Sequence, residues 1–275
     1  MNKISYGKWI NTLLDLDRGP VGVKFLLSKE DYQALEVKEP SRRISYCSLV
    51  SKSSAGEAYK FHKGHMACSG GSTALGLEKP TEEMISGERR LSQGAYNDLE
   101  VCRKVSSNMK YCQHDIYGAS VMPLEKYNTF SDFTPDVIIF ICNPFTAMRI
   151  IQSYAYKRGH ASNICVSGMQ AICQESTSLP YINNQLNISL MCSGTRLLAK
   201  WENDEMAIGI PYNMLGDIVE GLRKTVNPLE RNPRKRIIEK KLKQENISTE
   251  IEIIFNKNYD DKCYIGGNIG EAPGK

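Results

Sequence analysis

The sequence predicts an α/β fold made of two related α/β halves, an internal duplication packed about a pseudo-twofold axis, with a mixed sheet and flanking helices. Three observations predict it. The run Asp136-Val137-Ile138-Ile139-Phe140-Ile141-Cys142 is rich in β-branched residues and does not alternate, as expected of a strand covered on both faces. Asn143-Pro144 ends that run, and apolar residues at helical spacing follow, which reads as a strand–helix unit. The cysteine pattern also repeats. Cys47 is followed 21 positions later by Cys68 in Cys68-Ser69-Gly70-Gly71, and Cys173 is followed 19 positions later by Cys192 in Cys192-Ser193-Gly194-Thr195.

In chain order, Gly19-Pro20 opens a strand over 19–26 that mixes small and apolar residues, and 27–35 reads as a helix. Residues 95–101 read as the opening of an amphipathic helix, with a counterpart at 211–219. Gly22-Val23-Lys24-Phe25-Leu26 has its nearest likeness in Gly118-Ala119-Ser120-Val121-Met122-Pro123-Leu124. The apolar run at 136–142 is expected in the middle of a sheet, and 146–158 as a helix closed by Gly159. These matches divide the chain into a first half, 1–116, and a second, 117–226, which carries an inserted strand and helix at 137–158. From 227 the composition becomes charged, so 227–275 reads as an appendage. Its basic stretch from Arg231 to Lys243 is interrupted by Glu239 and reads as a solvated helix. Its Gly-rich tail lacks the helix and hydroxyl residue that a phosphate loop needs.

Composition removes several function classes. With 35 basic and 31 acidic residues in 275, the chain has no dense basic stripe, so no nucleic-acid partner is expected. The longest apolar run, 137–142, is too short to cross a bilayer, and residues 1–8 hold no signal-peptide core. No membrane partner and a cytoplasmic location follow as expectations. An odd count of nine cysteines without an export signal argues for reduced thiols. The triplets Asn187-Ile188-Ser189 and Asn246-Ile247-Ser248 therefore carry no weight as glycosylation sites.

Duplication separates the thiols. Cys47, Cys68, Cys173 and Cys192 occupy matched positions, whereas Cys102, Cys112, Cys142, Cys165 and Cys263 have no counterpart. A lone cysteine is ordinarily core. Four at matched positions, converging on a pseudo-twofold axis, form a set able to bind an iron–sulfur cluster, [4Fe–4S] foremost, or zinc. Glycines in the Cys-Ser-Gly turns let backbone amides approach sulfur. Near these thiols, Glu175 is a candidate general acid or else a solvated loop carboxylate, and Arg196 a candidate anion holder or else a surface ion pair. His62 and His65 precede Cys68 closely enough to ligate metal or carry protons. Lys24 either points into a cleft or guards a sheet edge.

Several of these stretches together resemble a known family. They are Pro20-Val21-Gly22-Val23-Lys24-Phe25, Cys47 with Ala55-Gly56-Glu57, Cys68-Ser69-Gly70-Gly71 with Ala74-Leu75-Gly76, Pro135-Asp136-Val137-Ile138-Ile139-Phe140, Cys173, and Ser189-Leu190-Met191-Cys192-Ser193-Gly194-Thr195-Arg196. They are similar to the uncharacterised ArCR family, the domain of unknown function numbered 169, over residues 13–224. The resemblance implies no reaction, but the family's association with anaerobes and archaea suits an oxygen-sensitive cluster. The leading expectation is an iron–sulfur protein of the oxidoreductase or lyase kind, acting on a small molecule or a redox partner protein, alone or as a homo-oligomer. A scaffold with structural zinc and a cysteine-nucleophile enzyme are the alternatives.

Overall fold

The computed structural model describes residues 5–113, 116–130 and 133–255. Six strands form one sheet: β1 (Val21–Leu26), β2 (Tyr59–His62), β3 (Gly118–Pro123), β4 (Val137–Cys142), β5 (Asn187–Ser189) and β6 (Met206–Pro211). Their spatial order is β2-β3-β1-β4-β6-β5, and every neighbouring pair is antiparallel. The α/β class is as expected, whereas the expected mixed sheet is not found. The predicted strand–helix unit exists, but it returns to no parallel partner. A strand buried on both faces has the same composition whichever way its neighbours run, so the apolar run could not reveal direction.

β4 does lie inside the sheet, between β1 and β6, with all six residues buried. Its alternate side chains serve two cores. Val137, Ile139 and Ile141 join Tyr46, Leu49, Phe61 and Ile172 on one face. Ile138, Phe140 and Cys142 join Trp9, Ile150, Ile218 and Leu222 on the other. The sheet is therefore the middle of three layers. Two registers repeat across it. Val21↔Pro123 through Leu26↔Gly118 joins β1 to β3, and Val137↔Pro211 through Cys142↔Met206 joins β4 to β6. Between the central strands β1 and β4, Gly22 faces Ile138.

Local chemistry sets the helices of the far layer. Asn143 caps helix Pro144–Arg158 by accepting from the Thr146 N–H at 2.9 Å, Pro144 occupies its first turn, and Gly159 ends it at φ 74°. The shorter helix Lys29–Ala34 starts from a Ser28/Asp31 capping box inside the predicted 27–35. The opening expected at 95–101 begins at Leu99, capped by Asp98, and runs to Ser107. At 211–219 a 3₁₀ turn, Tyr212–Met214, leads into helix Leu215–Leu229. Arg149 ties two helices together. Its Nε donates to Glu230 Oε1 at 2.6 Å and its Nη2 to the Thr225 hydroxyl at 3.0 Å.

The described part of the charged segment after 227 packs against the second core. Its helix Asn232–Gln244 places Ile238 and Leu242 in the second core, buries Lys235 against the Ile254 carbonyl at 2.6 Å, and brings Arg234 and Lys241 to Asp15. Glu239 pairs with Lys243 on the outer face. Cys263 and the Gly-rich tail lie outside the described residues.

Candidate functional site

The matched cysteines sit on four separate elements of the first-core face, in two matched settings. Cys47 lies in the first turn of helix Tyr46–Ser54, and Cys173 in the first turn of Ala171–Ser178, which is a π-helix. Cys68 immediately precedes helix Ser69–Ala74, and Cys192 immediately precedes helix Ser193–Ala199. All four are partly buried, whereas the unmatched Cys102, Cys112 and Cys142 are buried and Cys165 is exposed.

Packing gathers these elements. Tyr46 Oη meets Thr177 Oγ1 at 3.0 Å, and Ser178 Oγ donates to the Ala74 carbonyl at 2.5 Å. Ser48 and Ser51 donate to the Leu198 and Ala199 carbonyls at 3.0 and 3.3 Å. The thiols consequently act on one another. Burial pushes the Cys173 thiol well above its ordinary range, and negative charge on Cys68, Cys192 and Cys47 pushes it further. Burial likewise raises the Cys47 thiol, opposed by the Ser45 hydroxyl, while Cys192 and Cys68 add to the rise.

Two of the sulfurs, those of Cys192 and Cys47, have hydrogen-bonding groups beside them. Cys192 Sγ accepts from the Thr195 N–H at 3.3 Å and lies 3.1 Å from the Thr195 hydroxyl, which also reaches Cys47. Cys47 Sγ lies 3.2 Å from the Ser45 hydroxyl. Small residues permit the approach. A Cβ on Gly71 would stand 3.3 Å from the Met66 methyl and 4.0 Å from Cys173 Cβ. As the side chains stand, no group of three or more His, Cys, Asp or Glu among the described residues is arranged to hold a single metal ion.

The other sequence candidates take different places. Glu175 is buried rather than solvated, and its carboxylate accepts from the Ser167 N–H (2.6 Å), the Ser167 hydroxyl (3.1 Å), the Gly168 N–H (3.1 Å) and the Ser189 hydroxyl (2.6 Å). With four donors on two oxygens it anchors the 167–170 loop, a positioning role rather than a free acid. Arg196 forms no ion pair among the described residues. It donates to the Leu190 and Glu205 carbonyls at 3.1 Å each and to the Glu202 carbonyl, clamping the turn between β5 and β6. His62 and His65 pack ring to ring at 4.3 Å beside Tyr32 and Tyr117. His62 Nδ1 accepts from the Gly64 N–H and His65 Nδ1 from the His62 N–H. Lys24 stands on an interior strand and pairs with Asp136 at 2.9 Å, so it guards no edge.

Sequence reasoning missed the groups around the thiols. Arg90 is buried and donates to Ser106 and Gln170, and Gln170 donates to the Gly70 carbonyl at 2.9 Å, although only the doublet Arg89-Arg90 marked the place. Thr195 lay in the quoted motif without being read as a sulfur partner. A cavity of about 430 Å³ opens between the two Cys-Ser-Gly turns, bounded there by Cys68, Gly70, Cys192 and Gly194.

Residues 10–221 match the family described as "Uncharacterised ArCR", the domain of unknown function 169. The chain is also 28% identical over 217 residues to "Uncharacterized protein MJ0308" of Methanocaldococcus jannaschii, an alignment covering 78% of this chain and 91% of that protein. No solved structure matches the chain.

Proposed function

Because the chain belongs to the uncharacterised ArCR family, whose name carries no reaction, we propose from the site itself that Cys47, Cys68, Cys173 and Cys192 hold an iron–sulfur cluster, with [4Fe–4S] the leading form. The carrying observation is that the four cysteines singled out by repetition lie on four different elements packed against one another, with Cys68 and Cys192 bordering one cavity, while the unmatched thiols among the described residues are packed away or exposed. Amide and hydroxyl donors at Cys192, and a hydroxyl at Cys47, favour charged sulfur. Such a cluster supplies one-electron transfer, or Lewis acidity if one iron lacks a cysteine. We read the protein as a cytoplasmic, cluster-dependent enzyme on a small molecule, or an electron carrier to a redox partner. The described residues include no helix long and apolar enough to cross a membrane.

An internal duplication would favour a shared site, and the sheet is consistent with one. Reading the sheet inward from its two ends yields β2-β3-β1 and β5-β6-β4, the two long registers correspond, and Gly22 faces Ile138 where a twofold axis would pass. If the halves are related, these relations favour β4, not β3, as the counterpart of β1, and the boundary would then fall within 124–136 rather than at 116/117. Each half then contributes one cysteine in a first helical turn and one just before a helix.

Protein purified without oxygen is expected to be brown, with iron and sulfide in similar amounts, and to bleach in air. Cys68→Ser and Cys192→Ser should lose most of the metal; Cys102→Ser should keep it. A colourless anaerobic preparation with stoichiometric zinc would establish the structural-zinc alternative instead. Retention of full metal by both Cys68→Ser and Cys192→Ser would sink the assignment of the ligands.

A further inference from the structure

Two arginines are nearly sealed inside the described structure, and they differ in one respect. Arg149, 3% exposed in its side chain, is neutralised by Glu230 at 2.6 Å. Arg90, 7% exposed, has no ion pair among the described residues. Its Nε donates to the Ser106 hydroxyl at 3.2 Å and its Nη2 to Gln170 Oε1 at 2.8 Å, both neutral acceptors. A buried guanidinium without a counter-ion is costly to keep, and hydrogen bonds to neutral groups offset only part of that cost.

Arg90 lines the 430 Å³ cavity beside Cys68 and Cys192. Arg89, partly exposed, lines it too, with Tyr111 near both guanidinium groups. No carboxylate is on the wall; apart from Cys68 and Cys192, which the proposed cluster would make negative, its formal side-chain charges are two positive ones. Met84, Met169 and Ala95 supply an apolar portion. Gln170, held by Arg90 on one side and the Gly70 carbonyl on the other, keeps Arg90 in place at the cavity's edge.

We infer that this cavity binds a small organic carboxylate, its charge held by Arg89 and Arg90 and its carbon chain lying against Met84 and Met169. Guanidinium groups match the planar two-oxygen face of a carboxylate. Inorganic phosphate would use the charge but leave the methionine wall idle. The inference deepens the proposed site, naming the class of molecule brought to the thiol face, and it rests on that reading only for the molecule's later chemistry. Binding itself needs no electron transfer.

The test is calorimetric titration of the full chain, purified without oxygen, with acetate, pyruvate, butyrate and benzoate, and with pyruvamide and inorganic phosphate as comparisons. At least one carboxylate is expected to bind saturably at one site, more tightly than phosphate and with no binding of pyruvamide. Arg89→Gln, whose side chain is outside the core, should weaken that binding by about tenfold or more, the loss of a charged hydrogen bond, with metal content and melting temperature unchanged. Arg90→Lys should weaken it while keeping the buried charge. Absence of binding by all four carboxylates, tighter phosphate binding, or an unchanged Arg89→Gln would overturn the inference. Metal-free protein that still binds carboxylate would remove the cluster and leave this site standing; brown protein that binds none would do the reverse.

Discussion

Breaking the Arg149–Glu230 pair should be among the most damaging single changes in the molecule. Both side chains are 3% exposed, so neither can be rehydrated in place when its partner is removed. Glu230→Leu leaves the guanidinium with Gln152 at 2.6 Å and Thr225 at 3.0 Å, but without a counter-charge. Removing one partner of such a pair costs about 3–5 kcal/mol. For a chain of this size each kcal/mol moves the melting temperature by roughly 2–4 °C, so a fall on the order of 10 °C is expected. Arg149→Met should cost a similar amount, because it leaves the Glu230 carboxylate buried. The double variant Arg149→Met/Glu230→Leu should recover much of the loss, since an apolar pair carries no desolvation penalty. Urea unfolding and thermal melts of the four proteins complete the cycle. Single variants that each cost under about 1 kcal/mol, or a double variant whose loss equals the sum of the singles, would refute the picture of a desolvated, mutually dependent pair.

Three further outcomes follow from the same coordinates. Burial pushes the Cys112 and Cys142 thiols up to about 12. In the unfolded chain they ionise near 8.5, so their share of stability is intact below about pH 8.5 and is lost as pH rises toward 12. At pH 10 each should cost about 2 kcal/mol relative to pH 8, and urea unfolding of Cys142→Ala should show that much less pH dependence than the wild type; an identical dependence would contradict the burial of this thiol. Gly209→Ala should lower stability and metal content together. Its Cβ would meet the Ser176 carbonyl oxygen at 2.1 Å, backbone of the π-helix that bears Cys173, and full metal at unchanged stability would show that the contact is not tight. Glu175→Gln should loosen the 167–170 loop, read as faster amide exchange there, because a neutral amide accepts from Ser167, Gly168 and Ser189 less strongly; unchanged exchange would remove its anchoring role.

What the sequence made legible depended on how strongly burial marks composition. β4 was visible because both its faces are covered, which leaves no polar position to interrupt the run. Strands β2 and β5 were not, being four and three residues long with partly exposed positions among them. The four cysteines stood out through recurrence, a signal that requires no local pattern. Glu175 and Arg196 were noticed for their closeness to cysteines, but their partners are backbone groups and hydroxyls of loops, and proximity in sequence says nothing of which way such groups turn. The likeness of Gly22-Val23-Lys24-Phe25-Leu26 to Gly118-Ala119-Ser120-Val121-Met122 arose between two strands that lie side by side facing the same core, and shared surroundings favour shared residues. The charged composition after 227 concealed a helix whose outer face supplies the charge and whose inner face supplies Ile238 and Leu242.

The sheet divides the molecule into a thiol-bearing side and a helical side, with helix Asn232–Gln244 on the latter. Immobilisation chemistry aimed at the outer lysines of that helix, Lys240 and Lys243, would present the opposite face to solution. On an electrode this orientation would keep the thiols a full sheet and helix layer away from the conducting surface, so that a redox centre held there, if the proposed cluster is present, would exchange electrons with it slowly. Attachment through engineered sites at Leu197 or Leu198, both exposed on the helix that Cys192 precedes, would instead turn the thiol-bearing side toward the surface.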